Sequence, residues 1–206
     1  MKRIIIHWSA GTYKPNSVEL EHYHYLIGYE KNETEKAEVH FGKCRPEDNL
    51  NCTNGSRYAA HTGGGNTGSI GVALCGMFGF YDIRHIGNYP LKPVQMEVCY
   101  ELCARLCIKY NIPISKETVM THYEFGKKNP CTTSRGKQDI AYLATNPSLN
   151  AGKIGDFIRN KIKWYYEKLI LKLKDNEAVE LKISKVSKPK TNPKTKNEIK
   201  KLSEVS

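Results

Sequence analysis

The chain has 206 residues, 39% hydrophobic and 26% charged, which is the composition of a soluble, globular domain. No apolar run approaches membrane-spanning length, and Ile4-Ile5-Ile6 after Met1-Lys2-Arg3 is too short for a secretory core of roughly seven apolar residues. A formal net charge of +11 favours polyanions (nucleic acid, anionic lipid or anionic cell wall) without choosing among them.

Taken in chain order, residues 3–8 read as a buried strand, broken by Ser9-Ala10-Gly11. Asn16 or Ser17 caps a short helix through His22. Tyr23 to Tyr29 is aromatic and β-branched enough for a second strand, and Ala37 to Phe41 alternates as a third. Residues 42–56 form a polar surface loop. Thr62 to Gly68 is dense in glycine, so its backbone can take unusual angles and approach a ligand closely. Ile70 to Leu74 is a fourth strand. Pro93 opens a helix through about Tyr110. Thr118 to Thr121 is a short strand running into His122, and Tyr123 to Gly136 is irregular. Residues 151–174 carry Ile154, Phe157, Ile158, Ile162, Tyr165 and Leu169 on one helical face. That helix either packs on the sheet or touches lipid or an anionic polymer.

Loosely alternating strands and helices predict a single α/β domain with a mixed central sheet flanked by helices. The domain covers residues 1–174. Residues 175–206 are a lysine-rich tail without aromatics, expected to be disordered.

The seven cysteines contain no CxxC pair, so neither a zinc ribbon nor a thioredoxin motif is indicated. Cys99, Cys103 and Cys107 recur every four residues in a helix, as a packing stripe or as a metal or redox cluster. His7 and His122 close strands, and Asp139 precedes another short apolar stretch. Two imidazoles and a carboxylate are an acceptable set for a catalytic zinc, which needs three protein ligands and one open position.

Five short motifs sharpen this. Ile-Ile-Ile-His7-Trp-Ser-Ala-Gly resembles the first zinc strand of the type-2 N-acetylmuramoyl-L-alanine amidases, a family that includes phage amidase lysozymes and peptidoglycan recognition proteins. Tyr23-His24-Tyr25-Leu26-Ile27 is similar to its second strand. His61, the glycine-rich stretch with Asn66, and Ser69-Ile70-Gly71-Val72 resemble its His...Asn...Ser-Ile-Gly-Ile segment. Thr121-His122-Tyr123 and Lys137-Gln138-Asp139 resemble the elements that complete the site. Order and spacing match over residues 3–145.

The resemblance implies zinc on His7, His122 and Asp139, with Cys131 a rival for the last position. It implies Tyr23 orienting the attacking water or helping to deprotonate it, Lys137 donating to the oxyanion, and His61 and Asn66 lining the groove. If Cys131 were the ligand, Lys127 or Lys128 would be the donor. His24, beside Tyr23 in the expected strand, faces away and reads as structural. Ala73 stands where cytoplasmic recycling members carry glutamate, which shifts weight to Tyr23. The implied activity is zinc-dependent hydrolysis of the bond between N-acetylmuramic acid and L-alanine in peptidoglycan, of the endolysin type. The alternatives are a non-catalytic peptidoglycan-binding module or an amidase recycling muropeptides. The protein is expected to be made in the cytoplasm without a signal peptide, acting on the wall after release or on soluble muropeptides. The expected partners are peptidoglycan or muropeptides. No specific nucleic acid is expected, since that reading rests on charge alone.

Overall fold

The computed structural model describes residues 1–186. Strand β1 (Arg3–Trp8) is followed by helix α1 (Ser17–His22) and strands β2 (Tyr25–Lys31) and β3 (Glu35–Phe41). A 3-10 turn at Pro46–Leu50 precedes β4 (Ser69–Leu74). Helix α2 (Pro93–Tyr110), strand β5 (Val119–Thr121), helix α3 (His122–Lys128) and helix α4 (Ala151–Val186) complete the order. The strands form one sheet in the order β3-β2-β4-β1-β5. Three of its four pairings are parallel and β2–β3 is antiparallel, so the sheet is mixed, as expected.

Strand β1 lies between β4 and β5 and is buried on both faces, as parallel strands covered by helices must be. Period-two alternation divides its side chains. Ile4, Ile6 and Trp8 enter the main core with Met96, Cys99, Tyr100 and Cys103 of α2 and Ile154, Ile158 and Ile162 of α4. Ile5 faces the other way, toward Met120 and Phe125, and His7 follows it on that side. Cys99, Cys103 and Cys107 are all buried in the main core, so this stripe packs. Gln95, fully buried on α2, donates to the carbonyls of Ile27 and Cys75, both at 2.9 Å, and so satisfies strand ends that the helix covers.

Two boundaries differ from the sequence reading. Tyr23 caps α1 instead of opening β2, its N–H bonding the Glu19 carbonyl at 3.1 Å. The segment after His122 is helical instead of irregular. Thr121 accepts from the Glu124 N–H and the Glu124 carboxylate accepts from the Thr121 N–H, a reciprocal cap legible as Thr-x-x-Glu.

The same Glu124 receives two hydrogen bonds from Arg159 of α4, at 2.8 and 3.0 Å. Arg159 is 6% exposed and also donates to the Val119 carbonyl and to Asp156. A side chain at Gly155 would collide with the Glu124 carboxylate, so glycine there admits this fork. One guanidinium thus ties α4 to β5 and to the cap that starts α3.

The chain divides into two units after Leu169, within α4. In the first unit, α4 buries the apolar stripe expected of it. In the second, Leu171 and Leu173 are exposed. Helix α4 continues to Val186, past the end expected near Lys174, and the remainder of the expected disordered tail lies outside the described residues. No helix among the described residues is long and apolar enough to cross a membrane.

Replacing Arg159 by Met leaves a half-buried carboxylate without its cation. Denaturant unfolding of Arg159→Met is expected to show a loss of about 2–4 kcal/mol, well beyond that of a surface arginine.

Candidate active site

Parallel pairing sets Ile6 opposite Thr121, so the next residues, His7 and His122, stand side by side at the carboxyl ends of β1 and β5. Their ring centroids are 4.5 Å apart. Asp139 reaches them from a turn, residues 138–141, closed by the Ala141 N–H on the Gln138 carbonyl at 2.7 Å. The third residue, Ile140, has φ 63, a value that favours glycine in such turns, yet its side chain is fully buried. The core requirement overrides the backbone preference, and the turn is anchored by the Tyr123 N–H on the Asp139 carbonyl.

Asp139 Oδ2 lies 3.2 Å from His7 Nδ1 and 3.0 Å from His122 Nδ1. These ligand-type atoms all fall within 4.8 Å of one another. Cys131, the rival for the third position, is exposed and outside the group. Burial pushes the Asp139 carboxyl up, but the adjoining imidazoles of His122 and His7 outweigh it and hold the group well below the usual carboxylate range. His7 is lowered to about 4, chiefly by burial.

Behind each histidine stands a buried hydroxyl that the sequence reading passed over. Ser134 Oγ donates to the Gly63 carbonyl at 2.8 Å and therefore accepts from His122 Nε2–H at 3.0 Å. The His122 Nδ1 lone pair then faces Asp139. Thr62 Oγ1 sits 2.8 Å from His61 Nδ1 and 3.3 Å from His7 Nε2. A hydroxyl that donates to the former and accepts from the latter would turn the Nδ1 lone pair of His7 toward Asp139 as well. Two imidazole lone pairs and a carboxylate oxygen converge, an arrangement that calls for a cation among them.

The glycine-rich stretch is used differently from expectation. Side chains at Gly63, Gly64 and Gly65 would collide with Thr133, Thr132 and Phe125 respectively. The bare backbone lets the loop holding Ser134 nest against the loop holding Thr62. Beneath lies a closed polar network. Asn49 accepts from His24 Nε2–H and the Ala59 N–H and donates to the carbonyls of Ala59 and Asn66. His24 Nδ1 accepts from the Gly71 N–H at 2.9 Å.

A cleft of about 490 Å³ opens onto Asp139 and is lined by Glu19, Tyr23, His61, Asn66, His122 and Lys137 among others. Tyr23 packs 5.2 Å from the His7 ring, and burial first, then the charge of Asp139, raises its phenol far above the ordinary range. Lys137 is exposed at the rim, near enough for its charge to oppose protonation of His7. His61 is buried against His7 with its Nε2 lacking a hydrogen-bond partner, and Asn66 Oδ1 is occupied by the Thr62 N–H at 2.7 Å. Glu19 also lines the cleft, with one carboxylate oxygen on the Asn16 N–H. Its place three residues after Asn16 marked it as a capping partner.

Residues 1–141 match the family model described as N-acetylmuramoyl-L-alanine amidase. The chain belongs to that family. Two solved structures resemble this family member, one titled as the structure of PlyL and the other a point mutant of PlyL. The mutant is 22% identical, with a TM-score of 0.44, and the match covers 79% of this chain and 84% of that one. The other is 21% identical, with a TM-score of 0.42 and coverage of 78% and 82%. No curated protein matches the chain.

Two predictions follow from this geometry. Ser134→Ala removes the acceptor that orients His122, and its metal affinity, read by competition with a chromophoric chelator, is expected to fall about 10–100-fold. Ser134→Thr, which keeps the hydroxyl, is expected to retain most of it. The second concerns His24, whose pKa burial lowers from 6.5 to about 4. The unfolded chain takes up this proton below 6.5 and the folded chain only near 4, so stability falls as pH drops through that window. Melting curves of the metal-free protein are expected to show this, with a shallower slope in His24→Gln.

Proposed function

We propose that this protein hydrolyses the amide bond between N-acetylmuramic acid and L-alanine in bacterial peptidoglycan, with zinc held by His7, His122 and Asp139. The observation that carries the reading is the convergence of these three side chains on one point at the edge of an open cleft, each histidine aligned from behind by a buried hydroxyl. The donor set fits. A tetrahedral ion with bonds of about 2.0–2.2 Å has ligand atoms roughly 3.3 Å apart, and Asp139 stands 3.2 and 3.0 Å from the two imidazoles. Nitrogen and carboxylate ligands together favour zinc over magnesium or calcium. Bound zinc supplies Lewis acidity and makes hydroxide available near neutral pH.

The remaining work falls to the chain. Lys137 places a positive charge at the cleft rim, where negative charge develops on the substrate carbonyl during attack. Tyr23, its phenol kept protonated by burial, orients the attacking water by donating a hydrogen bond instead of acting as a resting base. His61 holds His7 from behind and, with Asn66, shapes the wall against which the glycan and peptide lie. Ala73 in place of a glutamate and the cationic segment from residue 175 onward support an endolysin type, with the catalytic domain at residues 1–174 and the tail retaining the enzyme on an anionic wall after release.

The deciding experiment is product analysis on purified sacculi and on soluble muropeptides. Free L-alanine amino termini are expected to appear, to stop with a chelator and to return with added zinc. His122→Ala is expected to reduce the rate by at least a thousandfold, on the order of losing a metal-held catalytic group. Retention of wall binding with no release under any metal condition would move the assignment to a non-catalytic recognition module.

A further inference from the structure

A cavity of about 880 Å³ lies beside the cleft at Asp139, and Lys137 lines both. One wall of the larger groove is the loop after β4, where Tyr81 is 81% and Ile83 69% exposed. The groove is also lined by Lys127, Arg135 and Lys137. Lys127 is held by the Tyr123 ring, 5.7 Å from its centroid. Among the described residues none of these three cations is in an ion pair, although seven other surface or buried cations are. The groove's one carboxylate, Asp82, has its Oδ1 engaged by the Arg84 and His85 N–H groups and the His85 ring.

A trough lined by exposed apolar side chains and by three cations outside any ion pair among the described residues suits an extended peptide bearing carboxylates. A neutral sugar has no use for the cations, and a nucleic acid would need a broader basic face than one groove. We infer that this groove binds the free carboxylates of the acidic stem peptide, so that the enzyme selects stems whose glutamate α-carboxyl is free over stems in which it is amidated. This rests on the amidase reading only in supposing that the peptide leaves the cleft past Lys137. Lys127 and Arg135 act as specificity residues, and the contribution of exposed cations fades with salt.

The test compares N-acetylmuramoyl-L-alanyl-D-glutamyl peptides of one length in acid and amide forms. At low salt the wild type is expected to favour the acid form roughly tenfold in kcat/KM, through KM, as one charge-assisted contact would. The ratio is expected to shrink toward one in K127Q/R135Q, with kcat on the amide form unchanged. Equal treatment of the two forms by the wild type, or an unchanged ratio in the double variant, overturns the inference. If neither form is cleaved, titration calorimetry with the same two peptides decides. Acid-selective binding lost in K127Q/R135Q keeps the groove assignment while the amidase reading falls, and indifferent binding removes both.

Discussion

The parallel pairing of β1 with β5 is the constraint on which the site depends. With Ile6 opposite Thr121, the two histidines that follow are neighbours before any side-chain contact is made. A shift of one residue in either strand would turn one imidazole into the main core and present an isoleucine or threonine in its place. The register is held from three directions. The full burial of Ile4, Ile5 and Ile6 penalises any slip. The β4 pairing fixes β1 from its other edge. Arg159, bonded to the Val119 carbonyl and to Glu124, clamps β5 and the start of α3 as one piece.

Around this rigid pair the polar groups are ordered in layers. The innermost layer is three lone-pair donors facing each other. The next is hydroxyls, Ser134 with its proton on the Gly63 carbonyl and Thr62 bridging His61 and His7. The outermost is the Asn49 network, in which every side-chain donor and acceptor has a partner in backbone or His24. In that network the saturation fixes the His24 tautomer, with Nε2–H on Asn49 and Nδ1 accepting from the Gly71 N–H. His61 Nε2 is the exception, buried without a partner.

Much of the fold was legible because its signals are local. The isoleucine run of β1, the proline at the first turn of α2 and the apolar stripe of α4 each state their element over a few residues. The ligand residues were legible through short motifs, and the structure brings His7, His122 and Asp139 together. What escaped was set by distance or by competition. Helix α3 carried a capping box, but its seven residues around Gly126 have little helix propensity of their own. Tyr23 reads as strand by side-chain type, yet the Asn16–Glu19 cap extends the helix's claim to it. Ser134 and Thr62 are ordinary residues whose importance arises from partners 12 and 55 positions away. The glycine stretch announced close approach correctly, but what approaches is another part of the same chain.

That nesting has an evolutionary corollary. Thr132 and Thr133 occupy the space that side chains on Gly64 and Gly63 would fill, and Ser134 bonds the same backbone. Neither loop can change its shape alone without forcing a clash or leaving a void beside a ligand histidine. In related sequences the segments around residues 62–66 and 129–136 are therefore bound to vary together, in length as well as in side-chain size. The tolerance for insertions lies instead at the outer rim, where Tyr81 and Ile83 stand exposed.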